Sequence, residues 1–306
     1  GYTVTASSTG TLTVQQKTIT ISGVAVSDKI YDGGTTATVT NAGTVAGQVT
    51  NDVVSVSSVT AAFTTKNADA NNAQNLILSG GTLSGTDAAN YTAVISGTTT
   101  AKITPKTITL TAPSVTKAYD GLTTYTASAS DLTAIGGVLL GGDTITAATI
   151  TFDNKNVGTS KTITLDAATI STPTNYTVTL AGNSTSSITR QTSVTWIGGA
   201  TGNWFDPANW AVTGTNAAGA VPDLSNVSAV VIPSGTTVTF NDSVSGRTSP
   251  AQTGSVNITT LIGGSLTITN GALSATSLNV AELNTSSGTT VTTSSGITVA
   301  PATGVS

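Results

Sequence analysis

Lys29-Ile30-Tyr31-Asp32-Gly33 and Lys117-Ala118-Tyr119-Asp120-Gly121 open two similar stretches of the chain. Working outward from them, the same landmarks return in the same order. Tyr31 and Tyr119 stand 88 residues apart, Phe63 and Phe152 stand 89 apart, and so do Lys66 and Lys155. Asn90-Tyr91-Thr92 returns as Asn175-Tyr176-Thr177 after 85, so the second copy is shorter late in the unit. A length change of this size is what loops between strands absorb. Repetition, rather than any one residue, therefore sets the architecture.

The repeats read as all-β. Thr18-Ile19-Thr20-Ile21, Thr107-Ile108-Thr109-Leu110-Thr111 and Lys161-Thr162-Ile163-Thr164-Leu165 alternate apolar and polar residues with period two, the pattern of a half-buried strand. Ser79-Gly80-Gly81, Gly136-Gly137 and Gly141-Gly142-Asp143 interrupt them with turn-forming residues. About seven or eight short strands per unit predict a β-sandwich-like repeat, with helix nearly absent. The expected domains are residues 18–104 and 107–190. Thr104-Pro105-Lys106 and Thr189-Arg190-Gln191 join them with almost no linker. A partial copy precedes them at 1–17, where Tyr2-Thr3-Val4 through Lys17 resembles Tyr91 to Lys106. The reading is that the chain begins in the last strands of a preceding repeat and was cut from a longer polypeptide, with export signals and anchors outside it. Those strands are a candidate for donation to an adjacent subunit.

Past residue 192 the texture changes. Trp196, Trp204 and Trp210 fall close together, in Trp196-Ile197-Gly198-Gly199 and in Gly202-Asn203-Trp204-Phe205-Asp206-Pro207-Ala208-Asn209-Trp210. Short apolar strands follow, Val230-Val231-Ile232, Thr237-Val238-Thr239-Phe240, Leu266-Thr267-Ile268, Leu278-Asn279-Val280 and Ile297-Thr298-Val299. Such spacing is too tight for a sandwich and predicts a parallel β-helix, or β-solenoid, over 192–306 with the tryptophan segment as its cap.

Composition removes whole classes of chemistry. Charged residues make up 8% of the 306, against roughly 25% in ordinary globular domains, and His, Cys and Met are absent. Without His or Cys there is no Ser-His-Asp triad, no thiol nucleophile, no thiolate or imidazole zinc site and no disulfide. A net charge of −4 with ten scattered basic residues argues against nucleic acid and against an anionic membrane surface. No apolar run approaches the roughly 18 residues needed to span a bilayer. An enzyme is not expected.

The Lys-x-Tyr-Asp-Gly motif, followed by Phe-x-x-Lys-Asn at Phe63 to Asn67 and Phe152 to Asn156 and closed by Asn-Tyr-Thr, resembles the YDG-type repeats of large bacterial surface adhesins. Those adhesins are filamentous haemagglutinin-like exoproteins, many exported by two-partner secretion. The Gly-Asn-Trp…Ala-Asn-Trp segment resembles modules that precede β-solenoid stretches in the same exoproteins. The resemblance implies a structural stalk or filament segment, at the cell surface or outside the cell, that supports attachment, aggregation or biofilm matrix. Its implied partners are other copies or repeats of the same exoprotein.

Tyr31, Asp32, Gly33, Tyr119, Asp120 and Gly121 read as fold landmarks: a tyrosine at a core edge beside an Asx turn that glycine closes. Calcium is the one ion the acidic residues suggest, but no Asp-x-Asp-x-Asp-Gly loop is present, and no cofactor is expected. Trp196, Trp204, Phe205 and Trp210 are the candidate contacts for a polysaccharide, since exposed indole rings stack on sugars. The same residues suit a cap, with Asn203, Asp206 and Asn209 holding its turns.

Overall fold

The computed structural model describes residues 14–241 and 256–299. The first 13 residues of the expected partial repeat lie outside this range, as do 242–255 and 300–306. Strands take 58% of the chain and helix 7%, so the fold is all-β. Contacts divide it into two compact units, one of residues 1–109, 138–144 and 170–179, the other of 110–137, 145–169 and 180–306.

In the first unit, strand Lys17–Ser22 buries Ile19 and Ile21 and lies parallel to Tyr91–Ile95, with Lys17 opposite Tyr91 and Ile21 opposite Ile95. Thr44–Ala46 pairs antiparallel on its other edge. A hairpin of Ser55–Phe63 and Gln74–Ser84 carries a four-stranded sheet, with Thr36–Ala37 and Thr100–Ala101 on its edges. Val59, Ala61 and Phe63 face the core. On the solvent face, hydroxyls pair across the strands: Ser55 with Ser84 at 2.8 Å, Ser58 with Thr82 at 2.6 Å and Thr60 with Ser79 at 2.8 Å. Cross-strand hydroxyl pairs do here what charged pairs do on most sheets, which accounts for the low charge.

The second unit holds a five-stranded sheet in the order Thr116–Ala118, Asn183–Thr189, Gly158–Ile170, Ile145–Phe152, Thr124–Thr126. Its inward residues include Ile150, Phe152, Ile163, Leu165 and Ile188. One α-helix, Ala129–Ile135, departs from the all-strand expectation. The Ser128 hydroxyl accepts the Asp131 amide and the Asp131 carboxylate accepts the Ser128 amide, a closed capping box.

The same unit contains an eight-stranded sheet. Gln191–Trp196 runs parallel to Val227–Asn241, which runs parallel to Val256–Asn270, and that to Ala272–Thr285. Thr290–Thr293 and Ile297–Val299 continue on the last of these. The tripeptides expected as separate strands are halves of strands 14 and 15 residues long. The register between Val227–Asn241 and its neighbour shifts between Ile232 and Thr237, where Pro233-Ser234-Gly235 intervenes. Parallel in-register pairing stacks like on like: Val194, Val230, Leu261 and Leu278 form one buried column, and Phe240 over Ile268 begins another.

Candidate functional site

The Tyr-Asp-Gly corner is built the same way twice. Lys29 Nζ donates to Asp32 Oδ1 at 2.8 Å, to the Gly34 carbonyl at 2.8 Å and to the Thr36 carbonyl at 3.0 Å. It stands 5.3 Å from the centre of the Phe63 ring. Lys117 repeats this on Asp120, Leu122 and Thr124 at 2.8, 2.7 and 3.1 Å, and stands 5.7 Å from the Phe152 ring. The aspartates close Asx turns, Asp32 Oδ1 accepting the Gly34 amide and Asp120 Oδ1 the Leu122 amide, each at 2.9 Å. The lysine's hydrogen bond holds the Asp32 carboxyl below the usual carboxylate range. Lys, Asp, Gly and Phe of the motif therefore form one clasp around a three-residue turn.

What the clasp presents is the tyrosine. Tyr31 and Tyr119 are 1% and 0% exposed, yet each sends its hydroxyl out of its own repeat. In the first unit the Tyr31 hydroxyl donates to Asp143 Oδ2 at 2.9 Å, and its ring meets Tyr176 edge-on at 5.3 Å. Asp143 Oδ2 also accepts from the Tyr176 hydroxyl and from Asn175 Nδ2, each at 3.0 Å. Asn175, 0% exposed, uses its Oδ1 to accept the Ala68 amide at 2.8 Å, and Lys66 donates to the Gly141 carbonyl. Burial pushes the Asp143 carboxyl up, but the hydrogen bonds it receives, Asn175's first, win, and its pKa lies below the ordinary value. Burial and then Asp143 raise the Tyr31 phenol well above its ordinary range.

The second unit solves the same problem with other residues. The Tyr119 hydroxyl donates to the Val221 carbonyl at 2.8 Å, and burial followed by the charges of Asp223 and Asp120 raises its pKa. Asn226, 2% exposed, accepts the Val157 amide at 2.8 Å and donates to Asn156 Oδ1 at 3.0 Å. Val157 follows Lys155-Asn156 as Ala68 follows Lys66-Asn67. In both units, then, one buried asparagine captures the amide that follows the Lys-Asn pair, while a second group receives the tyrosine. The glycine is needed on two counts. Gly33 and Gly121 have φ of +82° and +83°. A Cβ on Gly33 would stand 2.6 Å from the Gly141 nitrogen, and one on Gly121 1.8 Å from the Gly219 carbonyl oxygen, so no side chain fits.

Trp196, Trp204, Phe205 and Trp210 lie elsewhere in the second unit and are core. They are 2%, 0%, 4% and 0% exposed. Trp204 packs edge-on against Trp210 at 5.0 Å and against Phe240 at 5.2 Å, Trp196 against Trp210 at 5.1 Å, and Phe205 against Phe240 at 4.8 Å. Each indole N–H is spent inside, Trp196 on Gly199, Trp204 on Pro222 and Trp210 on Trp204 carbonyls, at 2.8, 2.9 and 2.5 Å. A sugar stacks on an open ring face, so the expected polysaccharide contact has no surface here: the ring faces are covered. Asn203, Asp206 and Asn209 each bond neighbouring backbone. Among the described residues no three acidic side chains gather where a metal ion would sit, and no helix is long and apolar enough to cross a membrane.

The repeat comparison finds Tyr31 and Tyr119 but not their receivers. Asp143 and Asn175 sit in stretches that read as a turn and a strand start, and Asp223 and Asn226 lie outside any repeat. The available signal was that Asp52 and Asn90 occupy in the first copy the places of Asp143 and Asn175 in the second.

No curated protein and no solved structure matches the chain significantly. A family model, the YDG domain, matches it twice, at residues 15–101 and 104–187, together more than half of its length. The chain thus belongs to the YDG domain family and carries two copies of the domain in tandem.

Proposed function

We propose that this chain is a structural segment, a stalk or filament piece, of a filamentous haemagglutinin-like adhesin exported to the bacterial surface or beyond. There it supports attachment, aggregation or biofilm matrix. In this reading the YDG domains, expected at 18–104 and 107–190, are β-sandwich-like beads, and 192–306 is a β-solenoid capped by the tryptophan cluster. One observation carries it: the signature residues of both domains are consumed in holding one stretch of chain against the next. Tyr31 and Tyr119 are buried with their hydroxyls spent, so what the motif preserves is a joint. The hydroxyl-paired, low-charge sheet faces suit a hydrated surface outside the cell.

Small-angle scattering tests the stalk directly. A compact chain of this length has a radius of gyration of about 19 Å. A stalk gives a clearly larger value, and a result at the compact figure sinks the reading. The alternative of a carbohydrate-binding module predicts signal for the intact chain on a glycan array, and none is expected. Assembly by strand donation from residues 1–17 predicts fibres that disappear when those residues are removed.

A further inference from the structure

The first YDG domain carries a complete copy of the receiver that Tyr31 occupies, and nothing among the described residues fills it. In the occupied receiver, Leu140 donates its amide to the Tyr176 hydroxyl at 2.8 Å, Tyr176 donates to Asp143, and the Asp143 amide returns to the Leu140 carbonyl at 3.0 Å. In the first domain Val49 donates to the Tyr91 hydroxyl at 2.9 Å, Tyr91 donates to Asp52 Oδ2 at 2.5 Å, and the Asp52 amide returns to the Val49 carbonyl at 3.1 Å. The backbone follows too: Gly142 has φ +83° and Asn51, in the corresponding place, φ +78°. A non-glycine residue seldom adopts such a φ, so the loop is held in the receiving shape with the guest absent.

One residue separates the two. Asn175 is 0% exposed, with its amide oxygen on Ala68 and its nitrogen on Asp143. Asn90 is exposed, and among the described residues its side chain meets no hydrogen-bonding partner. Asp52 likewise lacks the second phenol that Asp143 receives from Tyr31. We propose that Asp52, Asn90 and Tyr91 form a docking socket for the Tyr-Asp-Gly corner of a further YDG domain. The guest's tyrosine hydroxyl would donate to Asp52, and Asn90 would accept the amide after the guest's Lys-Asn pair. The socket's selectivity is for a backbone corner without a Cβ at its tip, carrying a phenol that reaches an ionised carboxylate. The inference stands on the two filled joints and is independent of the adhesive role.

The test is a chain lengthened by a second copy of residues 17–105 placed directly ahead of Lys17, so that Pro105 is followed by lysine as it is at Pro105-Lys106. With the added copy isotopically labelled, exchange of its Ala68 amide is followed by NMR. Docking predicts exchange about tenfold slower with Asn90 than in Asn90→Ala, the loss of one buried hydrogen bond. The added copy's Leu76 amide, bonded within the domain to Thr99, serves as the unchanged control. Asn90→Ala should lower the melting temperature of the lengthened chain and leave that of the 306-residue chain unmoved. Equal Ala68 exchange in both lengthened chains, or an equal melting shift with and without the added copy, overturns the socket.

Discussion

Tyr119 is fully buried, and its hydroxyl has one described acceptor, the Val221 carbonyl. Tyr119→Phe keeps the ring and leaves that carbonyl unpaired, so it should cost about 1–2 kcal/mol in urea unfolding. Gly121→Ala should cost more, because its methyl would overlap the Gly219 carbonyl at a φ that alanine resists. The pH profile follows from the same atoms. Asp143 and Asp32 have lowered pKa values, so the unfolded chain takes up their protons first and the stability they contribute is lost as pH falls below about 4. Tyr31 and Tyr119 have raised ones. The unfolded phenols ionise near pH 10 while the folded ones keep their protons, so stability also falls above about pH 10. Melting temperatures across the range should form a plateau with both edges, and Tyr31→Phe with Tyr119→Phe should flatten the alkaline edge.

Individual strands divide into those held by a column and those held by an edge. Leu261 sits between Val230 and Leu278 on neighbouring parallel strands and is 0% exposed. Leu261→Ala should cost about 2–5 kcal/mol by calorimetry or denaturant. Thr60→Ala, which removes only a solvent-facing hydroxyl pair with Ser79, should cost under about 1 kcal/mol. The period-two alternation of Lys17–Ser22 was legible because half-burial imposes it on every such strand. The lengths of Val227–Asn241 and Val256–Asn270 were not, since Pro233 and the paired glycines at 263 and 264 read as breaks. Partner strands on either side carry the pairing past them, as far as a register shift. Helix Ala129–Ile135 did leave a local sign, Ser128-x-x-Asp131, but seven residues of helix among strands are set by the cap and by burial of Ile135.

For the whole chain, the two units of contacts predict a particular unfolding signature. All three tryptophans belong to the second unit, whereas strand content is spread over both. Tryptophan fluorescence should therefore follow one transition in guanidinium, while far-ultraviolet circular dichroism follows a broader or two-step curve. Coincident curves would mean that the two units unfold as one. The YDG domain boundaries and the units need not agree, because residues 138–144 and 170–179 of the second match have their contacts with the first.

The amino-acid sequence alone determined the class of this protein, the tandem repeat and the elements of the clasp. Alternation, turn glycines and the spacing of Lys, Tyr, Asp, Gly and Phe are local properties that a repeat prints twice. Tertiary structure decided what the clasp is for and where the tryptophans face. Asn175 reaches Ala68 across 107 positions and Tyr119 reaches Val221 across 102, and no periodicity encodes a partner at that distance. An aromatic cluster reads the same whether its rings are open or covered; only the packing of Trp196, Trp204, Trp210 and Phe240 on one another removes them from solvent.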